Sequence, residues 1–286
     1  MGKILLVILA IILIVFIVCA AVTAIAKIRF SQMVAKEVTQ FYKGIEGAQG
    51  IVQLSDLEEL PPSVQKWLLH SQVVGKERMI ATRTKQDINL RLKADQSWMK
   101  GQVEQYFRMA EPGFIWYADI QMAPLLHISG RDKYIDGHGH MLIKVLSMVT
   151  LANGQGKEMD QGALLRYLAE MMWSPSAALN DYIHWQEIND TSAEATMSYE
   201  GVTASGVFTF NEQGEVLSFE AERYGEFDGE YRLETWACVI QEYQELNGIN
   251  VPSQGDIIWK LDTGDFHWYH FKVKELEHNK PFRYEL

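Results

Sequence analysis

The sequence predicts a mainly β protein of the α+β class, in which an N-terminal transmembrane helix precedes a curved antiparallel sheet or half-barrel with one buried helix on its concave face. Three observations predict it: a long apolar run near the N-terminus, many short runs with a period of two, and one apolar helix that interrupts those runs. The predicted divisions are a transmembrane anchor at 1–30, a helical lead-in packed on the domain at 31–75, and an antiparallel β domain at 76–286.

The predicted anchor is the apolar run at residues 4–26, which contains no charged residue. At a helical rise of about 1.5 Å per residue, this run covers the roughly 30 Å hydrocarbon layer of a bilayer. The lipid bilayer is therefore a predicted partner. A cleaved signal peptide is the alternative, since Ala24 and Ala26 offer small residues to a peptidase, although signal cores are usually only about 7 to 15 residues long.

The charges around the anchor give conflicting signals about orientation. Lys27, Arg29, Lys36 and Lys43 follow the span whereas only Lys3 precedes it, and by the positive-inside rule this places the domain in the cytoplasm. A short N-terminus before a lone first helix instead favours export. The predicted location is the cell membrane, with a single pass and the domain outside the cytoplasm, and the cytoplasmic topology stays open as the alternative.

Two helices are predicted between the anchor and the sheet. Ser31 is placed to cap the first, in which Val34, Val38 and Phe41 share one face. The second follows the proline pair at 61 and 62. Both belong to the helical lead-in.

The period-two runs predict meandering antiparallel strands. In the clearest run, Phe114, Trp116 and Ala118 share one face and Tyr117 and Asp119 share the other, as expected when one strand face meets a core and the other meets water. Such runs occur at 88–92, 102–109, 114–122, 126–135, 141–149, 183–188, 193–199, 202–210, 216–223, 235–243, 257–261 and 268–276. Turn signals between them include Asp136-Gly137, Gln213-Gly214, Asp228-Gly229, Asn247-Gly248 and Thr263-Gly264.

A helix is predicted at about 161–173, with Asp160 as its cap. Its side chains are apolar nearly all round, so it must be buried, and the concave face of the sheet is the expected place. Arg166 and Glu170 are its charged residues, and their spacing of four allows them to pair. We predict an internal ion-pair network of Arg131, Asp132, Arg166 and Glu170 that fixes the helix against the sheet, with a ligand site as the alternative.

Composition excludes one function class and leaves others open. Three of the 26 basic residues lie in the first thirty residues, which leaves 23 basic against 37 acidic residues, and a nucleic-acid partner is not expected of so acidic a chain. Cys238 is the one cysteine beyond the anchor, so no disulfide is predicted within the domain. No nucleophile elbow, phosphate-binding loop or dinucleotide fingerprint occurs, so no cofactor and no catalytic residue are assigned.

Two histidine pairs suggest metal binding only weakly. His138 and His140 flank Gly139 in a predicted tight turn, where side chains spread into solvent. His267 and His270 lie three apart on a predicted strand and should point to opposite faces. No metal site is predicted from either pair.

Four longer motifs resemble an uncharacterised bacterial family, the domain-of-unknown-function family 6544. They are Glu-Pro-Gly-Phe-Ile-Trp at 111–116, Gly-Arg-Asp-Lys-Tyr-Ile-Asp-Gly at 130–137, Asp-Gln-Gly-Ala-Leu-Leu-Arg-Tyr-Leu-Ala-Glu at 160–170 with Trp173 and Pro175, and Phe-Asn-Glu-Gln-Gly-Glu at 210–215. The resemblance covers residues 60–276. It implies a fold similar to the lipoprotein carriers LolA and LppX, whose half-closed barrel holds acyl chains, and it implies no settled activity.

The leading functional hypothesis is a membrane-tethered envelope protein that binds a lipid or another apolar ligand between the curved sheet and the helix at 161–173. Arg131 or Arg166 would meet an anionic head group in this hypothesis. The expected ligand contacts are Trp116, Arg131, Leu164, Arg166, Leu168 and Met172. The alternative is a structural or interaction module with a solid core and an unknown protein partner. An enzyme comes third, because it would need a cleft where several polar side chains with shifted pKa values converge, which a sequence does not show.

Overall fold

Thirteen antiparallel strands form one sheet in the computed structural model, which describes residues 2–45, 47, 50–227 and 229–284. The sheet order is β6-β5-β4-β3-β2-β1-β13-β12-β11-β10-β9-β8-β7, so two meanders are joined where β1 pairs with β13. The strands are β1 Ala81–Leu90, β2 Met99–Arg108, β3 Gly113–Ala123, β4 Leu126–Ile135, β5 His138–Val145, β6 Val149–Gly154, β7 Ile183–Asn189, β8 Ser192–Tyr199, β9 Val202–Phe210, β10 Val216–Phe227, β11 Glu230–Leu246, β12 Ile249–Leu261 and β13 Gly264–His278.

Three α-helices accompany the sheet. Helix α1 is Gly2–Phe41, α2 is Pro62–His70 and α3 is Lys157–Glu170. Short 3-10 turns occupy Leu54–Leu57, Met171–Trp173 and Pro175–Leu179. Helix α3 connects the two meanders in the chain, because it lies between β6 and β7.

Helix α3 shows that the sheet is strongly curved. It packs against β4 and β5 near one edge of the sheet and against β8, β9 and β10 near the other edge. Strands that far apart in a flat sheet cannot share one helix, since neighbouring strands are about 4.8 Å apart. The predicted fold class is confirmed: an antiparallel half-barrel carries one buried helix and is preceded by a long apolar helix.

Helix α1 is continuous from the apolar run into the domain. By length and composition it is able to cross a membrane, and its residues from Ile4 to Val18 are exposed. Its last three turns pack on the convex face of the sheet, where Phe30, Val34 and Val38 are buried. The predicted helix start at Ser31 is therefore wrong, because the helix already runs through this position and Ser31 Oγ instead accepts a hydrogen bond from Arg283 at 3.0 Å.

Two predicted element boundaries also differ from the structure. The run at 141–149 is divided between β5 and β6 by a turn at Leu146 and Ser147, both of which have positive φ. Helix α3 begins at Lys157, and the Oδ1 of Asp160 accepts a hydrogen bond from the Gly139 amide at 2.7 Å rather than capping the helix. The predicted turn at Asp228 lies outside the described residues.

Candidate functional site

The two faces of the sheet have different chemistry because side chains alternate along each strand. On β3, Trp116 and Ala118 face the concave side, whereas Tyr117 and Asp119 face the convex side. On β4, Gly130 lies under the Trp116 ring, so that a Cβ there would come within 3.1 Å of the ring. Neighbouring residues on one strand therefore lie on opposite faces of the sheet, and the site residues predicted from the sequence do not all lie on the same face.

The concave side is occupied by α3. Leu164 and Leu168 are 0% exposed, and Met172 in the following turn is 2% exposed. All three, together with Trp116, belong to the main apolar core. These predicted ligand contacts pack against the fold itself.

A cluster of charges fixes α3 to the concave face. The Arg166 guanidinium contacts Glu170 at 2.9 Å and Asp132 at 3.1 Å, and its carbon lies 5.1 Å from the centre of the Trp116 ring. Gln105 donates a further hydrogen bond to Glu170 at 2.6 Å. Burial raises the pKa of Asp132 and of Glu170, and Arg166 opposes that rise. The structure thus brings together three of the four residues predicted to form the network.

Arg131 does not belong to this cluster, which corrects the sequence-based grouping. It is next to Asp132 on β4 and so points to the convex face, where its Nε lies 3.1 Å from the Glu37 carboxylate of α1. Its Nη1 also donates to the His140 carbonyl at 2.9 Å, and its side chain is only 2% exposed. Arg131 therefore fastens α1 to the sheet and is not placed to meet a ligand in the half-barrel.

Sequence reasoning missed Arg223, a second arginine on the concave side. Its Nε donates to the Gly162 carbonyl of α3 at 3.3 Å, and its guanidinium carbon lies 5.3 Å from the Trp236 ring centre. Burial, assisted by the neighbouring Arg166, lowers the pKa of Arg223 to about 10. The available signal was its inward parity with Phe219 and Ala221 on the run at 216–223.

The histidine pairs are held by other side chains. His138 is the first residue of β5 and contacts Asp160 at 3.6 Å, while His140 Nε2 lies 2.7 Å from the Asn153 amide oxygen. His267 and His270 both reach Asp256, because a bulge in β13 brings them to the same face. The expectation that they face opposite sides is wrong. Among the described residues, no three potential ligands are grouped to hold a metal.

An open groove lies on the convex side, between α1 and the sheet. Its volume is about 1090 Å³. One wall is the stretch of α1 from Phe16 to Lys27, and the other wall is formed by β1, β2, β3, β4 and β13. We call this space the anchor groove.

The sheet wall of the anchor groove is polar and is ordered by the strand register. One row across the strands contains Gln121, Lys100, Asn89 and His270, and His127 extends it onto β4. The next row contains Asp119, Gln102, Asp87 and Lys272. These rows bring together residues up to 185 positions apart in the chain, such as Asp87 and Lys272.

The groove has more lysines than carboxylates. Lys27 of α1 forms an ion pair with Asp119, and Lys274 contacts Asp87 at 3.5 Å. Within the described part of the chain, no carboxylate lies within salt-bridge distance of Lys100 or Lys272. Two lysines therefore face the groove without a compensating carboxylate.

An apolar hairpin tip lies at the end of the groove that points toward the N-terminus of α1. Leu125, in the β3–β4 turn, is 79% exposed and has a φ of 66°. This left-handed conformation disfavours leucine and usually takes glycine or asparagine. Met148 and Val149 in the β5–β6 hairpin are also exposed.

The fold and site define a class of protein: an antiparallel half-barrel domain joined to a helix long and apolar enough to cross a membrane. Residues 50–271 match the model of the Family of unknown function (DUF6544), and the chain belongs to this family. The resemblance predicted from the four motifs is confirmed. A search among curated protein sequences finds no match.

Three solved structures have a similar fold. A domain from Vibrio parahaemolyticus that is named for outer membrane lipoprotein sorting is 8% identical, with a TM-score of 0.42 over 71% of this chain and 87% of that one. A DUF1329 family protein from Desulfovibrio piger ATCC 29098 is 10% identical, with a TM-score of 0.41 over 77% and 93%. A beta-barrel-like DUF1849 protein from Brucella abortus is 9% identical, with a TM-score of 0.31 over 71% and 99%. All three TM-scores are below 0.5, so these likenesses carry no argument about this chain.

Proposed function

We propose that this chain is a membrane-anchored protein of the cell envelope that binds a lipid in the anchor groove. The observation that carries the proposal is the groove itself, which has an apolar wall from α1 and a polar wall from the sheet. A lipid has the same two kinds of surface. A groove that joins a membrane-spanning helix to polar side chains is suited to hold an acyl chain and a head group together.

The length of the groove supports a lipid as the occupant. From Phe16 to Lys27 the α1 wall extends roughly 16 Å at about 1.5 Å per residue. This is about half of the roughly 30 Å hydrocarbon layer, which corresponds to one leaflet. With Lys27 at the membrane surface, the polar rows lie at the head-group level and the Leu125 tip lies among the acyl chains.

A second location for a lipid is the half-barrel interior, with Trp116, Leu164, Arg166, Leu168 and Met172 as contacts. Binding there requires α3 to leave its place, because these side chains are already packed. The same packing favours a second candidate function, a structural or interaction module with a solid core. The anchor groove needs no such rearrangement.

The proposed location is a single-pass membrane protein with the domain outside the cytoplasm. Retention of the anchor is part of the proposal, because cleavage after Ala26 would remove the apolar wall of the groove. The mass of the purified protein tests this point. A mass that includes residues 4–26 supports an anchor, and a mass that begins after Ala26 contradicts it.

The binding proposal is tested by native mass spectrometry of the full chain purified in a mild detergent. Gln102 lines the groove, and Gln102→Trp fills part of it; Gln186→Trp makes the same change at an exposed position of β7. We expect a lipid adduct on the natural chain and on Gln186→Trp, and its loss from Gln102→Trp. An adduct that survives in Gln102→Trp would favour the interior, and no adduct on any chain would favour the interaction module.

A further inference from the structure

We propose that the anchor groove selects phospholipids with an anionic head group and that Lys100 and Lys272 contact the lipid phosphate. This inference rests on the proposed lipid-binding function and adds the chemical class of the ligand. An anionic ligand is not what the overall charge of the chain, -11, would suggest. A protein this acidic would repel an anionic lipid unless the local charge were reversed.

The local charge is reversed in the groove. Of its two aspartates, Asp119 pairs with Lys27 and Asp87 is contacted by Lys274, so both carboxylates already have a cationic partner. Lys100 and Lys272 remain for a ligand. Because the two lysines lie on β2 and β13 with β1 between them, they approach a bound head group from two sides.

The row that contains Lys100 adds neutral hydrogen-bond donors. Gln121 and Asn89 flank Lys100 directly in the strand register, and each carries an amide that can donate to a phosphate oxygen. At the β4 end of the row, burial lowers the pKa of His127, so this imidazole is neutral at pH 7. Its Nε2 lies 3.0 Å from the Ser147 hydroxyl. The lysines therefore supply the charge, and the amides supply directed hydrogen bonds.

The neutral apolar end of the groove places no further charge near the acyl chains. Phe16, Ala20, Leu125, Leu126 and Leu146 line this end. A soluble phosphate would leave these side chains without a partner, whereas the chains of a phospholipid would cover them. The ligand is therefore a lipid that carries a phosphate, and a free anion is not sufficient.

The test uses nanodiscs of equal phosphatidylcholine and phosphatidylglycerol, from which the full chain is released for native mass spectrometry. We expect the phosphatidylglycerol adduct to exceed the phosphatidylcholine adduct by about thirtyfold, because the two lysines near a membrane surface each contribute on the order of 1 kcal/mol to anionic lipid binding and about 1.4 kcal/mol is tenfold. Lys100→Gln with Lys272→Gln should abolish this preference. The matched control, Lys66→Gln with Lys260→Gln, makes the same change in net charge at two exposed lysines outside the groove and should retain it.

The outcomes separate this inference from the function on which it rests. Restoration of the preference by Lys100→Arg with Lys272→Arg would support a contact with the lysine charges. Lipid adducts without a preference, or a preference that the double glutamine variant keeps, would overturn the anionic selection and leave lipid binding standing. The absence of any lipid adduct would overturn both. Inorganic phosphate added in excess should not displace the lipid, and displacement would identify a simple anion site.

Discussion

The concave face and the anchor groove differ in the strand side chains that line them and in whether the protein itself fills them. The concave face is apolar and is filled by α3, whereas the sheet wall of the groove is polar and the groove is open. Apolar inward-facing residues were the features that suggested a ligand site from the sequence. In the structure these residues make the core, and the open groove lies where polar strand residues meet an apolar helix.

The charges in the two regions differ in the same way. On the concave side, Arg166 contacts Asp132 and Glu170, so its charge is compensated within the fold. In the groove, Lys100 and Lys272 have no salt-bridge partner among the described residues. Compensated charges hold a structure together, and uncompensated charges at an open surface are available for binding.

The largest expected effect comes from emptying the filled region. Leu168→Ala removes a fully buried side chain and should lower the free energy of unfolding by about 2–5 kcal/mol. The control is Leu125→Ala at the exposed hairpin tip, which should change it by less than about 0.5 kcal/mol. Urea denaturation measures both. Equal effects at the two positions would mean that α3 is not part of the core.

The next effect concerns the compensated charges. Arg166→Met leaves Asp132 and Glu170 without their cation and should cost about 2–4 kcal/mol of folding free energy. Arg78→Met breaks a more exposed contact with Asp56 and should cost about 1 kcal/mol or less. Thermal unfolding of both variants compares the two costs. A small loss for Arg166→Met would contradict a structural role for the cluster.

The third prediction concerns how the free energy of unfolding depends on pH, through a histidine on the concave side that should not affect the groove. Burial lowers the pKa of His278 to about 4, and its Nε2 lies 2.9 Å from the Trp173 carbonyl next to α3. Because the unfolded chain takes up this proton first, near pH 6.5, the contribution of His278 is full above that pH and is lost as the pH falls toward 4, by about 3 kcal/mol.

His278→Gln keeps a donor for Trp173 but has no titrating group. The difference in unfolding free energy between the natural chain and this variant should therefore change between pH 6.5 and 4. Chemical denaturation at several pH values measures it. A constant difference would contradict the prediction, and lipid binding by the groove should be unaffected by the substitution.

The smallest expected effect is a substitution that raises the free energy of unfolding and lowers lipid binding. Leu125→Gly relieves a positive φ and should stabilise the domain in detergent by about 0.5–1 kcal/mol. The same change removes an exposed apolar side chain from the proposed membrane side, so the amount of co-purifying lipid should decrease. Leu125→Asn tolerates the same φ and serves as a second variant. Unchanged lipid content in both would remove the hairpin tip from the site.

Local periodicity predicted the fold but not the site. The inward parity of Trp116 on β3 and the apolar circumference of α3 are properties of short segments, and the structure agrees with both. The continuity of α1 through Ser31 depends on packing against the convex face, which a cap signal does not contain. Arg131 and Asp132 are neighbours on one strand and so lie on opposite faces, which the sequence-based grouping of the two overlooked, and the sequence did not show that Glu37 would occupy one of those faces.

The anchor groove depends on contacts that no local pattern contains. Asn89 of β1 stands between Lys100 of β2 and His270 of β13, and this row exists only because the first strand pairs with the last. The α1 wall then comes from the C-terminal half of the charge-free run and from Lys27, which follows it. A signal was nevertheless present, since the exposed Leu125 follows a proline in a turn position that usually takes glycine.

The two natural cysteines test the central claim most directly, because each belongs to one of the two regions. Cys19 is exposed and lines the anchor groove, whereas Cys238 is buried in the core of the half-barrel, where burial raises the pKa of its thiol. With phosphatidylglycerol at tenfold above its Kd, alkylation of Cys19 by a maleimide should slow by about tenfold, and Cys238 should stay unreactive. An unchanged rate at Cys19 together with new reactivity at Cys238 would contradict the groove and place the lipid in the half-barrel.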